Sequence, residues 1–122
     1  MTPLILIVED QPLHAKLFSD ILRGGGFNAI TLGNGRDVAA TAAATRPDVI
    51  LLDILLPDVD GSAVIATLRA HQDVGATSIL AISASADREM ADDCLAAGAD
   101  AFVSKPVGMR ELIRRITGLL PG

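Results

Sequence analysis

LLDILLPDVDG, residues 51–61, sets a carboxylate among the most apolar residues of the chain. A buried charge is costly unless it is paired, coordinated or used. The stretch changes character at Asp53. Up to it runs VILLD (49–53), continuously apolar; beyond it, Pro57 and Gly61 frame Asp58 and Asp60, and Asp60 is placed to cap a following helix. A short continuous apolar run is how a strand buried on both faces reads, as in a parallel sheet covered by helices. Asp53 then stands at the carboxyl end of a central strand.

Four further runs read as strands: LILIV (4–8), the weaker NAITL (28–32), SILAIS (78–83) and AFVS (101–104). Helical patterns fill the gaps. In 12–23, Leu13, Leu17, Ile21 and Leu22 make an apolar stripe, Pro12 is tolerated in the first turn, and Gly24–Gly26 end the helix. Segment 35–45 is alanine-rich and stops before Pro47. Segment 61–70 carries Val64, Ile65 and Leu68, and 107–120 carries Met109, Leu112, Ile113, Ile116 and Leu119, running nearly to Gly122. Segment 87–97 has only Met90, Cys94 and Leu95 beside an acidic cluster, so it is expected to be the loosest helix. Five β-α alternations predict an α/β fold, a five-stranded parallel sheet that is doubly wound, in one domain spanning 1–122 with no output domain.

Composition narrows the function. Half of the 122 residues are hydrophobic, yet aromatics make up 2%, so the core is aliphatic and a stacking ligand site is disfavoured. A net charge of −5 disfavours nucleic acid and anionic membranes as partners. Arg110, Arg114 and Arg115 read as helix C-terminal cations rather than a binding patch. The single cysteine, Cys94, excludes an intramolecular disulfide and a four-thiolate zinc site. With no membrane-length run and no secretory leader, a cytoplasmic location is expected.

Ligands of open α/β sheets bind outside the carboxyl ends of the strands. Glu9 and Asp10, Asp53, Ser83, and Ser104 with Lys105 all fall there. Taken singly, each has a structural explanation: a cap, a satisfied hydroxyl, a solvated lysine. Together they form a constellation. Three carboxylates and one lysine sum to −2, a charge that one Mg²⁺ would neutralise through carboxylates, water and a backbone carbonyl such as that of Leu55. A carboxylate in that setting can attack phosphorus to give an aspartyl phosphate, with Ser83 bonding a phosphoryl oxygen. His14 and His71 read as ordinary surface residues, although His14 falls near the edge of the pocket.

These residues resemble the receiver domains of two-component response regulators. The resemblance spans essentially the whole chain and rests on IVED (7–10), LLDILLPDVDG (51–61), ILAISA (79–84) and FVSKP (102–106) in order. VEDQPLHAKLFSDIL (8–22) is most similar to the single-domain DivK-type regulators. The resemblance implies a flavodoxin-like strand order 2-1-3-4-5. It implies Asp53 as phosphoacceptor, Mg²⁺ on Glu9, Asp10, Asp53 and the Leu55 carbonyl, and Lys105 pairing with phosphate before a cis bond to Pro106. Ser83 and Phe102 would be the switch pair, moving 87–97 and 101–104. The phosphate would come from a histidine kinase or histidine phosphotransfer protein, and the signal would leave through a downstream protein target, with the chain a monomer. Exposed parts of 12–23, 87–97 and 107–120 are the candidate surfaces.

Small departures are Ser78, Leu56, the glycine run 24–26, and Phe102 in place of tyrosine. A haloacid-dehalogenase-like phosphatase would need an acid where Leu55 stands, and a flavin protein a phosphate-cradling loop, so no turnover enzyme is expected. A phosphorylation-independent docking module is the alternative.

Overall fold

The computed structural model describes residues 2–84 and 87–120. Strands β1 (Leu4–Val8), β2 (Asn28–Leu32), β3 (Val49–Asp53), β4 (Ser78–Ser83) and β5 (Ala101–Ser104) alternate with helices α1 (Pro12–Gly24), α2 (Val38–Thr45), α3 (Gly61–Ala70), α4 (Arg88–Ala97) and α5 (Met109–Leu119). All neighbours are parallel, in the order β2-β1-β3-β4-β5. The strand spans agree with the sequence reading. Three helices start later than expected: α2 at Val38 behind a turn, α4 behind its cap Asp87, and α5 behind Gly108. The last helix ends at Leu119, and Gly122 lies outside the described residues.

Successive side chains of a strand point to opposite faces, and the core divides accordingly. Ile5, Ile7, Val49, Leu51, Leu80 and Ile82 pack with Phe18 and Leu22 of α1 and Leu112 and Ile116 of α5. Leu6, Val8, Ile50, Leu52, Ile79 and Ala81 pack with α2, with Val64, Ile65 and Leu68 of α3, and with Cys94 of α4. Being covered on both faces is why the central strands read as continuous apolar runs.

Three stripes differ from the sequence reading. In α1 the buried residues are Ala15, Phe18 and Leu22, whereas Leu13 is 81% and Leu17 55% exposed. Leu13 and Leu17 share one helical face, but Phe18 turns the core-facing stripe away from them. Leu95 of α4 and Met109 at the start of α5 are also exposed. Cys94 is left as the sole fully buried residue of α4, which accords with that helix being the least anchored.

Register carries the polar residues to one edge. Val8 pairs with Leu52, Asp53 with Ile82, and Ser83 with Ser104. The ladder continues past the strands: Glu9 N–H donates to Leu32 O, Ile54 N–H to Ile82 O, and Lys105 N–H to Ser83 O at 2.7 Å. Glu9, Asp53, Ser83 and Lys105 thus emerge together.

The opposite edge is tied by Arg69 at the end of α3. Its Nε donates to Gly98 O at 2.8 Å, Nη1 to Gly75 O at 3.1 Å and to Thr77 O, and Nη2 to Asp100 Oδ2 at 2.8 Å. Asp100 Oδ2 also accepts from Ile79 N–H at 2.7 Å, so one guanidinium links α3, the entry to β4 and the α4–β5 turn.

Candidate functional site

Three side chains of the described core are polar or charged: Glu9, Asp53 and Ser83, exposed by 3%, 4% and 0%. Each stands at or just past the carboxyl end of a strand, where the helices still exclude water. Among the described residues no buried side-chain polar atom lacks a hydrogen-bond partner. The cost of burying Glu9 and Asp53 is therefore offset by specific partners.

Lys105 is the principal one. Its Nζ lies 2.9 Å from Glu9 Oε2 and 2.9 Å from Asp53 Oδ2, with its side chain 12% exposed. It also stands 5.7 Å from the centre of the Phe18 ring. Lys105 follows β5 and is joined to Pro106 by a cis peptide bond, as the sequence reading expected. The other Asp53 oxygen, Oδ1, accepts Leu55 N–H at 2.9 Å, and Glu9 Oε1 accepts Gln11 N–H at 3.2 Å.

The two buried acids respond in opposite senses. Burial, then the hydrogen bond and charge of Asp53, push Glu9 up to about 7 despite Lys105. Burial acts on Asp53 too, but its hydrogen bonds to Glu9, Lys105 and Leu55 outweigh it and hold this carboxyl below its usual range. Of the two adjacent carboxyls, Asp53 is the more readily ionised and Glu9 the more readily protonated.

Asp10, half-buried, completes the cluster: ligand oxygens of Glu9, Asp10 and Asp53 lie within 4.8 Å of one another. It does not cap α1, whose N-cap is Gln11 without a side-chain cap bond. An all-oxygen, multiply anionic donor set of this spacing fits a hard divalent cation of the Mg²⁺ type.

Ser83 leaves β4 on the α4 side of the sheet, and its hydroxyl donates to Met90 Sδ at 3.4 Å. Phe102 is half-buried on the edge strand β5 and packs against the cluster beneath α2, α3 and α4. Leu55 is half-exposed in the loop after Asp53.

That loop is held at both ends. Asp60 Oδ1 caps α3, accepting from Ser62 N–H and Oγ–H at 3.0 Å each. Gly61 is required there, because a Cβ would stand 2.7 Å from Ile54 Cα. Asp58 takes the Gly35 and Arg36 N–H groups at 3.1 and 3.0 Å, tying the loop to the β2–α2 turn. Those backbone bonds, Gly35 first, hold the Asp58 carboxyl low. No local pattern marks the Asp58 contact, which depends on two loops meeting in space.

His14 corrects the sequence reading. It is no ordinary surface residue: its Nδ1 lies 3.2 Å from Lys105 Nζ and 3.8 Å from Glu9 Oε1. Its place in the first turn after β1 was the available signal, since that turn rises beside the strand's carboxyl end.

Comparison with known proteins agrees with this geometry. The family model for the response regulator receiver domain matches residues 5–117. The transcriptional regulatory protein TcrX of Mycobacterium tuberculosis is 35% identical over 116 residues, 95% of this chain, and the chain spans about half (49%) of that protein's length. The polar-differentiation response regulator DivK of Brucella ovis is 32% identical over 120 residues, 98% of each chain. Among solved structures, the receiver domain of sensor histidine kinase PA1611 from Pseudomonas aeruginosa, with magnesium coordinated in its active-site cleft, matches with TM-score 0.89 and 29% identity over 98% of each chain. The buried aspartate at the strand end, the acid pair beside it and the lysine that bridges them are set in a fold and a sequence with the same affinity, and this chain belongs to the family of response regulator receiver domains.

Proposed function

We propose that Asp53 accepts a phosphoryl group from a histidine kinase or histidine phosphotransfer protein and that the chain signals by phosphorylation-dependent contact with a downstream protein target. The observation that carries this is the Lys105–Asp53 bond at 2.9 Å, inside a cluster of three acids that no other cation neutralises among the described residues. An aspartate kept ionised at a nearly closed site is a nucleophile, and the lysine beside it is a ready partner for incoming negative charge.

In the transfer, an Asp53 carboxylate oxygen attacks phosphorus, an O–P bond forms and the P–N bond of a phosphohistidine donor breaks. The electron pair and a proton stay with the leaving imidazole. Lys105 exchanges Asp53 Oδ2 for a phosphoryl oxygen, and the Ser83 hydroxyl turns from Met90 Sδ to another. Glu9, Asp10, Asp53 and the Leu55 carbonyl would hold Mg²⁺, which when bound supplies charge neutralisation to the phosphoryl oxygens. PA1611, with magnesium in its cleft, supports that part of the reading.

Withdrawal of Ser83 would loosen Met90, hence α4, whose one fully buried residue is Cys94. Phe102, packed against the same cluster, would respond with it as the second switch residue. The protein acts here as a monomer that catalyses only its own phosphorylation and dephosphorylation.

The test is incubation with Mg²⁺ and ³²P-phosphoramidate. Wild type should acquire acid-stable, base-labile label, and Asp53→Asn should acquire none. Absence of label in wild type, or equal label in both, would refute the assignment.

A further inference from the structure

Lys105 carries three N–H donors and no acceptor. Two meet carboxylates, Glu9 Oε2 and Asp53 Oδ2, each at 2.9 Å; the third direction meets His14 Nδ1 at 3.2 Å. Because an ammonium can only donate, Nδ1 accepts, and this imidazole is the neutral tautomer with its proton on Nε2. The ring is 43% exposed, whereas Lys105 is 12% exposed, so His14 closes the solvent side of a buried ammonium.

We infer that His14 is a positioning residue for phosphoryl transfer: through Nδ1 it holds the Lys105 ammonium in place while Lys105 changes partners from Asp53 to the phosphoryl group. The inference rests on the phosphoacceptor reading of Asp53 and adds to it. During transfer one carboxylate acceptor of Lys105 is replaced by a phosphoryl oxygen, and a four-carbon side chain freed at that moment would have several rotamers open to it. The bond to His14 need not break, because Nδ1 takes the third donor, competes with neither carboxylate nor phosphoryl oxygen and, unlike Glu9, is no ligand of the Mg²⁺ site proposed above.

The chemistry of this acceptor matters as well as its place. Asp53 already offsets the lysine charge, and a further carboxylate in place of His14 would cancel it more. A neutral acceptor fixes the ammonium while leaving its positive charge to act on the phosphoryl oxygens. His14 is also held from behind. It sits in the first turn of α1, and the ring borders an apolar groove of about 330 Å³ with Leu17, Phe18, Pro106 and Val107. Helix and groove together limit where Nδ1 can go.

Two substitutions separate this role from packing. Asparagine can place Oδ1 where Nδ1 stands; leucine has similar bulk and no acceptor. With phosphoramidate and Mg²⁺, His14→Leu should lower the saturating phosphorylation rate about five- to tenfold, the scale of one net hydrogen bond. The half-saturating donor concentration should not change, and His14→Asn should stay within about twofold of wild type. A wild-type rate in His14→Leu, or an equal loss in both variants, overturns the inference.

The second readout needs no phosphate: the ¹⁵Nζ ammonium signal of Lys105, protected from exchange in wild type and His14→Asn, should broaden away in His14→Leu. If wild type takes no phosphate at all, the phosphoacceptor reading fails, and this signal alone decides whether His14 holds Lys105. Its persistence in His14→Leu overturns that holding role.

Discussion

Glu9 is the residue whose proton has the widest consequences. Its ordinary value is 4.5 and the folded chain raises it to about 7, chiefly by burial and then by Asp53. Between these values the folded state binds more protons than the unfolded one, so stability falls as pH rises through the window. At 1.36 kcal/mol per unit the metal-free protein should lose about 3 kcal/mol between pH 4.5 and 7 from this group. The depressed pKa of Asp53 acts in the other sense but at lower pH, its stability being lost only as pH falls below its ordinary 3.8. Urea denaturation at pH 5 and pH 7.5 measures the slope, and Glu9→Gln should flatten it. The same proton opposes a cation, so Mg²⁺ affinity by calorimetry should rise up to about tenfold from pH 6 to pH 8. A pH-independent affinity would mean that Glu9 is already ionised. The acid cluster was legible in the sequence because the strand ends mark the edge; the opposite shifts of Glu9 and Asp53 were not, because they depend on how completely water is excluded.

At the scale of elements, the difference between an apolar residue and a buried one is decided by which side of the helix meets the sheet. Leu13 and Leu22 are both leucines of α1, yet one is 81% exposed and the other fully buried. Leu22→Ala should cost about 2–5 kcal/mol in urea denaturation, and Leu13→Ala should stay within about 0.5 kcal/mol of wild type. Equal losses would mean that Leu13 packs in solution. Ile116 and Leu112 of α5 follow the clear periodicity seen in the sequence, while Glu111 pairs with Arg114 and Arg115 on the opposite side. Helix periodicity therefore located α3 and α5 well. It located α1 less well because Phe18, the largest apolar side chain of that helix, sets the buried face, and its weight is not in the spacing. Leu13 and Leu17 are left as an exposed apolar pair on the helix that carries His14.

For the whole molecule, the sheet joins two edges that do different work. One edge gathers Glu9, Asp53, Ser83 and Lys105; the other is held by Arg69, whose guanidinium contacts four residues in two segments outside its own helix. Arg69→Met should destabilise the fold by about 1–3 kcal/mol by leaving those acceptors short of a donor, while phosphorylation of Asp53 by a small donor, measured on the folded protein, stays near the wild-type rate. A large loss of phosphorylation at full folding would show that the two edges are coupled. None of the described helices is long and apolar enough to cross a membrane. Apolar runs, turn residues and chain order by themselves determined the five strands, their doubly wound pairing with helices and the edge at which the acids would meet. These are local or alternating signals, and each can be read along the chain. Only the tertiary structure decided that His14 reaches Lys105, that Asp58 ties two loops, that Arg69 clamps the far edge and that Leu13 faces solvent. Each is a contact between segments distant in sequence or a rotation of a helix about its axis, set by the packing of the whole core.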